Sequence, residues 1–368
     1  MSSNSTAPAP APAPAPAIDT ERLAARFRHF AKVECPEEPL YEALCRIVAA
    51  DPRLLAFLSD TPDEQQRPNL WLAAVHDLLL AGAAHPLAAY YPSLGGRRAP
   101  DADLAGSVQS FAAEHETALR QLMRTRTTQT NEIGRCAVLW PALHAIAQRA
   151  GTADLALLDV GCSAGLNLGV DHYRYDRAEP GLPFLPTKLV GAQRPPTMPT
   201  PRIVHRLGID PAPVSADDTA ALRWLRACLW PSDIARATRF DQAVALMQQH
   251  RWPVQQAADC TARIEPWLAS LPPGVQPVIF NSWVLTYFDA AALQRHIDTV
   301  TGLVRRTGAM WLSAEGPQLR IGPVDVPPAP PDLGSHTLWT LCSRVQDDVR
   351  FDLLARSHAH GRWLEWLA

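Results

Sequence analysis

Leu155-Ala156-Leu157-Leu158-Asp159-Val160-Gly161-Cys162-Ser163-Ala164-Gly165-Leu166-Asn167-Leu168 is the stretch from which the rest of this chain is read. An apolar run of strand length ends in the acid Asp159. The small-residue turn Gly161-Cys162-Ser163-Ala164-Gly165 follows, and a helical pattern opens after it. Strand, tight turn and helix N-terminus in that order is how a doubly wound sheet begins a nucleotide site. Gly161 and Gly165 allow a sharp turn and close approach of a ligand, because no Cβ stands in the way. The free amides expected at the start of the next helix favour an electron-rich ligand.

Spacing separates the candidate ligands. A dinucleotide fingerprint G-x-G-x-x-G starting at Gly161 needs a small residue at position 166, which is Leu166. That disfavours an NAD-dependent oxidoreductase. No Lys follows Gly165, so the phosphate loop G-x-x-x-x-G-K-[ST] is absent as well. Small residues at 161, 163 and 165 after a strand ending in Asp resemble the first motif of class I S-adenosylmethionine-dependent methyltransferases. Ser163 replaces the middle glycine of that motif, which tightens the turn. The resemblance implies S-adenosylmethionine as cofactor, held by Asp159, Gly161, Cys162, Ser163, Gly165 and Asn167.

A chain of 368 residues has room for two domains, and a net charge of -3 gives no electrostatic case for a nucleic-acid partner. The seven cysteines are scattered, odd in number and contain no C-x-x-C pair. They point to a reducing cytosol and away from a disulfide framework or zinc cluster. No apolar run reaches membrane-spanning length, and the first residues hold no apolar signal core. A cytoplasmic protein with no metal is the expectation.

Residues 1–17 are Ser/Thr followed by repeated Ala-Pro, which reads as a disordered tail. Residues 18–150 read as a helical N-terminal region. Asp19 or Thr20 caps its first helix, Asp51-Pro52 opens another, and one long helix is expected over Asp103–Met123. His76 and Asp77 interrupt an apolar helix at Leu70–Leu80 and read as a hydrogen-bonded core pair before a site. Residues 151–368 read as a Rossmann-like nucleotide-binding domain of seven strands, with insertions at about 176–202 and 217–250. The first insertion is Pro-rich and suits a short hairpin or a flap.

Within that domain Arg202–Asp210 reads as the second strand. Asp210 at its end is placed to accept two ribose hydroxyls, or else is a turn residue before Pro211. Pro277–Ser282 is a buried strand carrying Asn281 at its carboxyl end. Met310–Glu315 is the next, and Leu338–Cys342 with Val349–Arg356 forms a terminal antiparallel pair. By analogy with the methyltransferases, Asp259 and the amide of Cys260 meet the adenine. Asp259 also suits an N-cap for Thr261 onward. Glu315 is the candidate base and Asn281 an orienting group. The polar run before the key strand puts Thr130, Asn131 and Arg135 on the substrate side, or leaves them as caps and a solvated turn. His358 and His360 form a pair with no visible third ligand, so a structural role is favoured over a metal site.

From about residue 20 onward the chain is similar to the bacterial domain-of-unknown-function family 2332. The matching residues are Thr128-Gln129-Thr130-Asn131-Glu132 with Gly134-Arg135-Cys136, the Asp159–Asn167 stretch, Arg223-Trp224-Leu225 with Trp230-Pro231, and His358–Trp366. That resemblance implies only a methyltransferase-like fold. The function expected is methyl transfer to a small molecule. A catalytically silent module that binds a nucleotide, a metabolite or a protein partner is the alternative.

Overall fold

In the computed structural model the described residues are 19–59, 61–129, 131–328 and 334–368. The Ala-Pro tail lies outside them. The chain divides into two compact units, the first ending at Thr128 and the second running from Gln129 to Ala368.

The first unit contains the helices α1 (Thr20–Val33), α2 (Pro39–Ala50), α3 (Pro52–Leu55), α4 (Pro68–Leu80), α5 (Leu104–Glu114) and α6 (Glu116–Thr125). Asp19 and Asp51 accept the amides of Arg22 and Arg53, so both expected caps are made. Proline opens α2, α3 and α4 at the positions where a missing N–H costs nothing. The helix α4 is buried almost all round, and His76 Nε2 lies 2.7 Å from Ser93 Oγ. The single helix expected over Asp103–Met123 is two. It breaks at His115, whose ring packs on Phe111.

The second unit is built on the strands β1 (Asp154–Val160), β2 (Lys188–Val190), β3 (Arg202–Asp210), β4 (Val254–Gln256), β5 (Gln276–Ser282), β6 (Met310–Glu315), β7 (His336–Val345), β8 (Asp348–His358) and β9 (Trp363–Trp366). Their order is β2-β9-β8-β7-β6-β5-β1-β3-β4. The five strands from β6 to β4 are all parallel, while the β6–β7, β7–β8 and β8–β9 pairs are antiparallel. Nine strands stand where seven were expected. The Pro-rich segment supplies β2 in place of a hairpin, and the tail supplies β9 to pair with it in parallel. Prolines on both sides of β2 fit an edge, where a strand lacks ladder donors at little cost.

Helices α7 (Cys136–Ala150), α8 (Thr219–Ala227) and α9 (Ile234–His250) cover one face of the sheet, while α10 (Thr261–Ala269) and α11 (Ala290–Thr307) cover the other. Leu155 and Leu157 of β1 join the first cluster; Ala156, Leu158 and Val160 join the second. Burial on both faces is why this strand is apolar throughout and does not alternate. The α7 helix, which sequence reading grouped with residues 18–150, belongs to this second unit.

The helix expected after Gly165 is a short 3-10 stretch, Leu166–His172. The Tyr173 and Tyr175 hydroxyls donate to the Leu166 and Val170 carbonyls. These are carbonyls that an α-helix would have given to amides one turn on. Trp252 also fills the space beside Gly169. With no α-helix here, the helix-dipole argument for an electron-rich ligand falls away.

Candidate functional site

The strand order reverses at β1, which has β3 on one side and β5 on the other. Ligands of open α/β sheets bind at such a switch point, beyond the carboxyl ends of the strands. A cavity of about 510 Å³ lies there. Gly161 after β1, Pro211 after β3 and Ala258-Asp259-Cys260 after β4 form part of its lining. Val284, Tyr287 and Phe288 after β5 continue it, and α11 contributes Ala292, Arg295, His296 and Thr299.

Three of the sequence-derived site residues therefore meet in one cavity: Gly161, Asp259 and Cys260. Asp259 also accepts the amide of Ala262 at 3.2 Å, so it caps and lines at once. The Cys260 thiol is pushed up to about 11, chiefly by burial, and burial likewise raises Cys162. Neither is a thiolate at neutral pH. Cys162 turns its sulfur toward Gly208, and Gly165 packs beside Val254.

Asp210 bridges two backbone amides. Its Oδ2 accepts from Ser163 and its Oδ1 from Ala212, both at 2.8 Å. Ser163 has φ of +52°, where a side chain is strained. Its hydroxyl donates to Gln129 Oε1 at 2.5 Å, and Asn131 Nδ2 donates to the Ser163 Oγ at 3.1 Å. The motif segment around residue 130 thus clamps the turn. Thr130 itself lies outside the described residues. Asp159 is buried beneath the turn, where it accepts from Asn167 Nδ2, and Asn167 Oδ1 accepts from the Cys136 thiol. Burial raises the Asp159 carboxyl to about 7, more than Asn167 lowers it.

Asn281 and Glu315 come together at the ends of β5 and β6. Asn281 Nδ2 donates to Glu315 Oε1 at 2.8 Å and to Ser313 Oγ at 3.0 Å, and its Oδ1 accepts from Trp311 Nε1. Glu315 Oε1 also takes the amides of Val284 and Leu285, while Oε2 is buried with no hydrogen-bond partner among the described residues. Burial raises the Glu315 carboxyl against these donors and Arg135.

Two family-motif blocks far apart in sequence also meet here. Glu132 Oε2 pairs with Arg236 at 2.6 Å, and its Oε1 accepts the Gly134 amide. Burial pushes this carboxyl up, but Arg236, His360, the Gly134 amide and Arg135 together carry it below the usual range. Arg135 Nε donates to the Ala359 carbonyl and Nη1 to Ser282 Oγ. His358 Nδ1 accepts the amide of His360, which gives the pair a structural use. Among the described residues no group of three or more His, Cys, Asp or Glu side chains is placed to hold a metal ion.

Sequence reading missed the α11 wall. Its signal is a stripe at Ala292, Arg295, His296 and Thr299, the i, i+3, i+4, i+7 spacing of one helix face. His296 is buried, with Nδ1 2.7 Å from Thr261 Oγ1 and Nε2 without a hydrogen-bond partner among the described residues. Burial pulls its imidazole down to about 4.

A parallel core that reverses at β1, helices on both faces and a cavity at the reversal make this second unit a doubly wound, Rossmann-like α/β domain. The chain belongs to the bacterial family described as "Uncharacterized protein conserved in bacteria (DUF2332)", whose model matches residues 24–366. No curated protein matches it. Among solved structures it is similar to the sugar N-methyltransferase KedS8 from Streptoalloteichus sp. ATCC 53650. Identity is 14% and the TM-score 0.24, over 60% of this chain and 72% of that one. It is also similar to an S-adenosylmethionine-dependent methyltransferase from Clostridium acetobutylicum ATCC 824. There identity is 10% and the TM-score 0.23, over 67% of this chain and 78% of the other. No helix among the described residues is long and apolar enough to cross a membrane.

Proposed function

We propose that the chain binds S-adenosylmethionine in the switch-point cavity and transfers its methyl group to a small molecule. The observation that carries this reading is the cavity itself, at the carboxyl ends of parallel strands and closed by the Gly161 turn. Its volume suits a cofactor-sized ligand. The Asp259 carboxylate offers an acceptor to an amino group, the Cys260 amide a donor, and the unpartnered His296 Nε2 a further polar contact. Pro211, Val284 and Phe288 supply apolar walls. Asp210 uses one lone pair of each oxygen on backbone amides, so further lone pairs remain for ribose hydroxyls.

Bound there, the cofactor supplies an electrophilic methyl group. The chain's part is alignment and proton removal. Glu315 is suited to be the base: Oε1 is locked by three donors, Oε2 is left to take the proton, and burial raises its proton affinity. Asn281 orients it. Asn131 and Arg135 stand on the acceptor side, with Thr130 proposed from the sequence alone. A second reading, a binding module without chemistry, draws on the full engagement of the Asn281 amide within the sheet.

Calorimetry with S-adenosylhomocysteine tests the cofactor. Binding is expected, with a rise in Tm because only the native state binds. If NAD binds and S-adenosylhomocysteine does not, the reading fails. Asp210→Asn is expected to weaken the complex about tenfold, the scale of a hydrogen bond to a charged group. Equal affinities of parent and variant would reduce Asp210 to a turn residue.

A further inference from the structure

Arg135 is a buried cation without an ion pair. It is 7% exposed, and no carboxylate among the described residues pairs with it. Nε and Nη1 are spent on a carbonyl and a hydroxyl, while Nη2 has no hydrogen bond among the described residues. The nearby acids are committed elsewhere: Glu132 to Arg236 and the Gly134 amide, Glu315 Oε1 to Asn281 and two backbone amides. Burial pulls the guanidinium down to about 10, which still leaves it charged at neutral pH. Glu132 and Arg236 neutralise one another, and Glu315 acts on Arg135 only through its field, with no contact ion pair, so the guanidinium has no carboxylate partner of its own among the described residues. Buried charges in folded proteins are normally paired, because desolvation without compensation is costly.

The position of this charge is informative. Arg135 is anchored at Ser282, the carboxyl end of β5, and lies 5.6 Å from the centroid of the Trp283 ring. Its field reaches Tyr287, which lines the cavity. Trp283 holds φ of +55°, a conformation that strains a bulky residue and persists only where its surroundings enforce it. Enforcement comes from its amide on the Ala314 carbonyl and its indole on Thr337 Oγ1. A fixed aromatic ring and a cation with one unused N–H edge thus stand side by side, and Trp283 is the chain neighbour of the cavity residue Val284.

The geometry points to Arg135 as the anchor of a carboxylate on the acceptor molecule, taken by Nη2 beside the Trp283 ring. The acceptor role rests on the methyltransferase reading; the anion site itself does not. One guanidinium with one free edge matches a planar monoanion. A dianionic phosphate calls for a second cation, and Arg236 already serves Glu132.

Acetate and benzoate, each with its amide, are the probes, followed by saturation-transfer NMR with and without S-adenosylhomocysteine. The acids are expected to bind the unaltered chain, the amides at least about tenfold more weakly, as when a site built for a charged partner meets a neutral one. Inorganic phosphate is expected not to displace benzoate. Arg135→Met is expected to lose benzoate and keep S-adenosylhomocysteine; Arg135→Lys, which keeps the charge without the planar fork, should fall between. The proposal is overturned if neither acid binds, if acids and amides bind alike, if phosphate wins, or if a folded Arg135→Met retains benzoate. The acid–amide comparison needs no variant, so it decides the matter even where a variant does not fold. Carboxylate binding without S-adenosylhomocysteine binding would keep the anion site and discard the cofactor reading.

Discussion

At Gly161 φ is +72°, and a Cβ would lie 2.5 Å from Val284 Cγ2. Both facts concern the same few atoms, because Val284 is itself a wall of the cavity. Gly161→Ala is expected to cost roughly 1–2 kcal/mol for the left-handed backbone alone. Pushing Val284 aside adds to that and distorts the ligand wall. We expect S-adenosylhomocysteine affinity to fall at least about tenfold, and Gly161→Ala/Val284→Ala to recover part of the lost stability, read by urea unfolding. No recovery in the double variant would place the cost in the backbone. The need for glycine at 161 was legible in the sequence from the turn pattern. That Val284 enforces it was not, since the two residues are more than a hundred positions apart.

Among the elements, α7 and the tail around β9 are fastened by two glycines. A Cβ on Gly361 would meet the Gly134 carbonyl oxygen at an impossible 1.9 Å, and one on Gly134 would meet the His360 carbonyl. Backbones that touch this closely have no flexible side chain to yield. Gly361→Ala is therefore expected to be severe, about 3–4 kcal/mol by chemical denaturation, toward the upper end for a point substitution. Gly134→Ala should cost a similar amount, and the pair less than the sum, because one contact is broken twice. Additive losses would mean that the glycines do not share a contact. The strands β1, β5 and β6 were legible because each is an apolar run ending near a polar or acidic residue. The edge pair β2 and β9 was not. Three or four residues carry too little pattern, and only their partner across the sheet makes them strands.

For the whole molecule, buried titratable groups set the pH response. Burial, with Arg236 next, holds His360 at about 3, and burial holds His296 at about 4. The unfolded chain protonates both near pH 6.5. Below that pH the unfolded state binds more protons, so their effect is a loss of stability as pH falls from about 6.5 toward 4 and 3. Asp159, raised to about 7, has the opposite sign: the folded state keeps a proton that the unfolded chain releases near pH 4. Its effect is a loss of stability as pH rises from about 4 to 7. Urea unfolding from pH 7 to 4.5 should therefore show a shallower acid loss in His296→Gln than in the parent. In Asp159→Asn it should be steeper, by up to about 1.4 kcal/mol per pH unit. Profiles parallel to the parent would show that these groups titrate normally in the folded chain.

What the sequence determined by itself was local: a strand, a turn that tolerates positive φ, acids at strand ends, and helix starts marked by Asp and Pro. Local sterics and hydrogen-bond geometry are written in neighbouring residues, so one chain suffices to read them. Tertiary structure alone decided which polar atoms are consumed and which are left. Asp210 spends lone pairs on the Ser163 and Ala212 amides, Asn281 is fully engaged by Trp311, Ser313 and Glu315, and Glu132 is claimed by Arg236. Only then does Arg135 emerge as a buried charge without an ion pair. Hydrogen bonding and desolvation depend on what surrounds a group in space, and packing brings residues 135, 282 and 359 together from three distant parts of the chain.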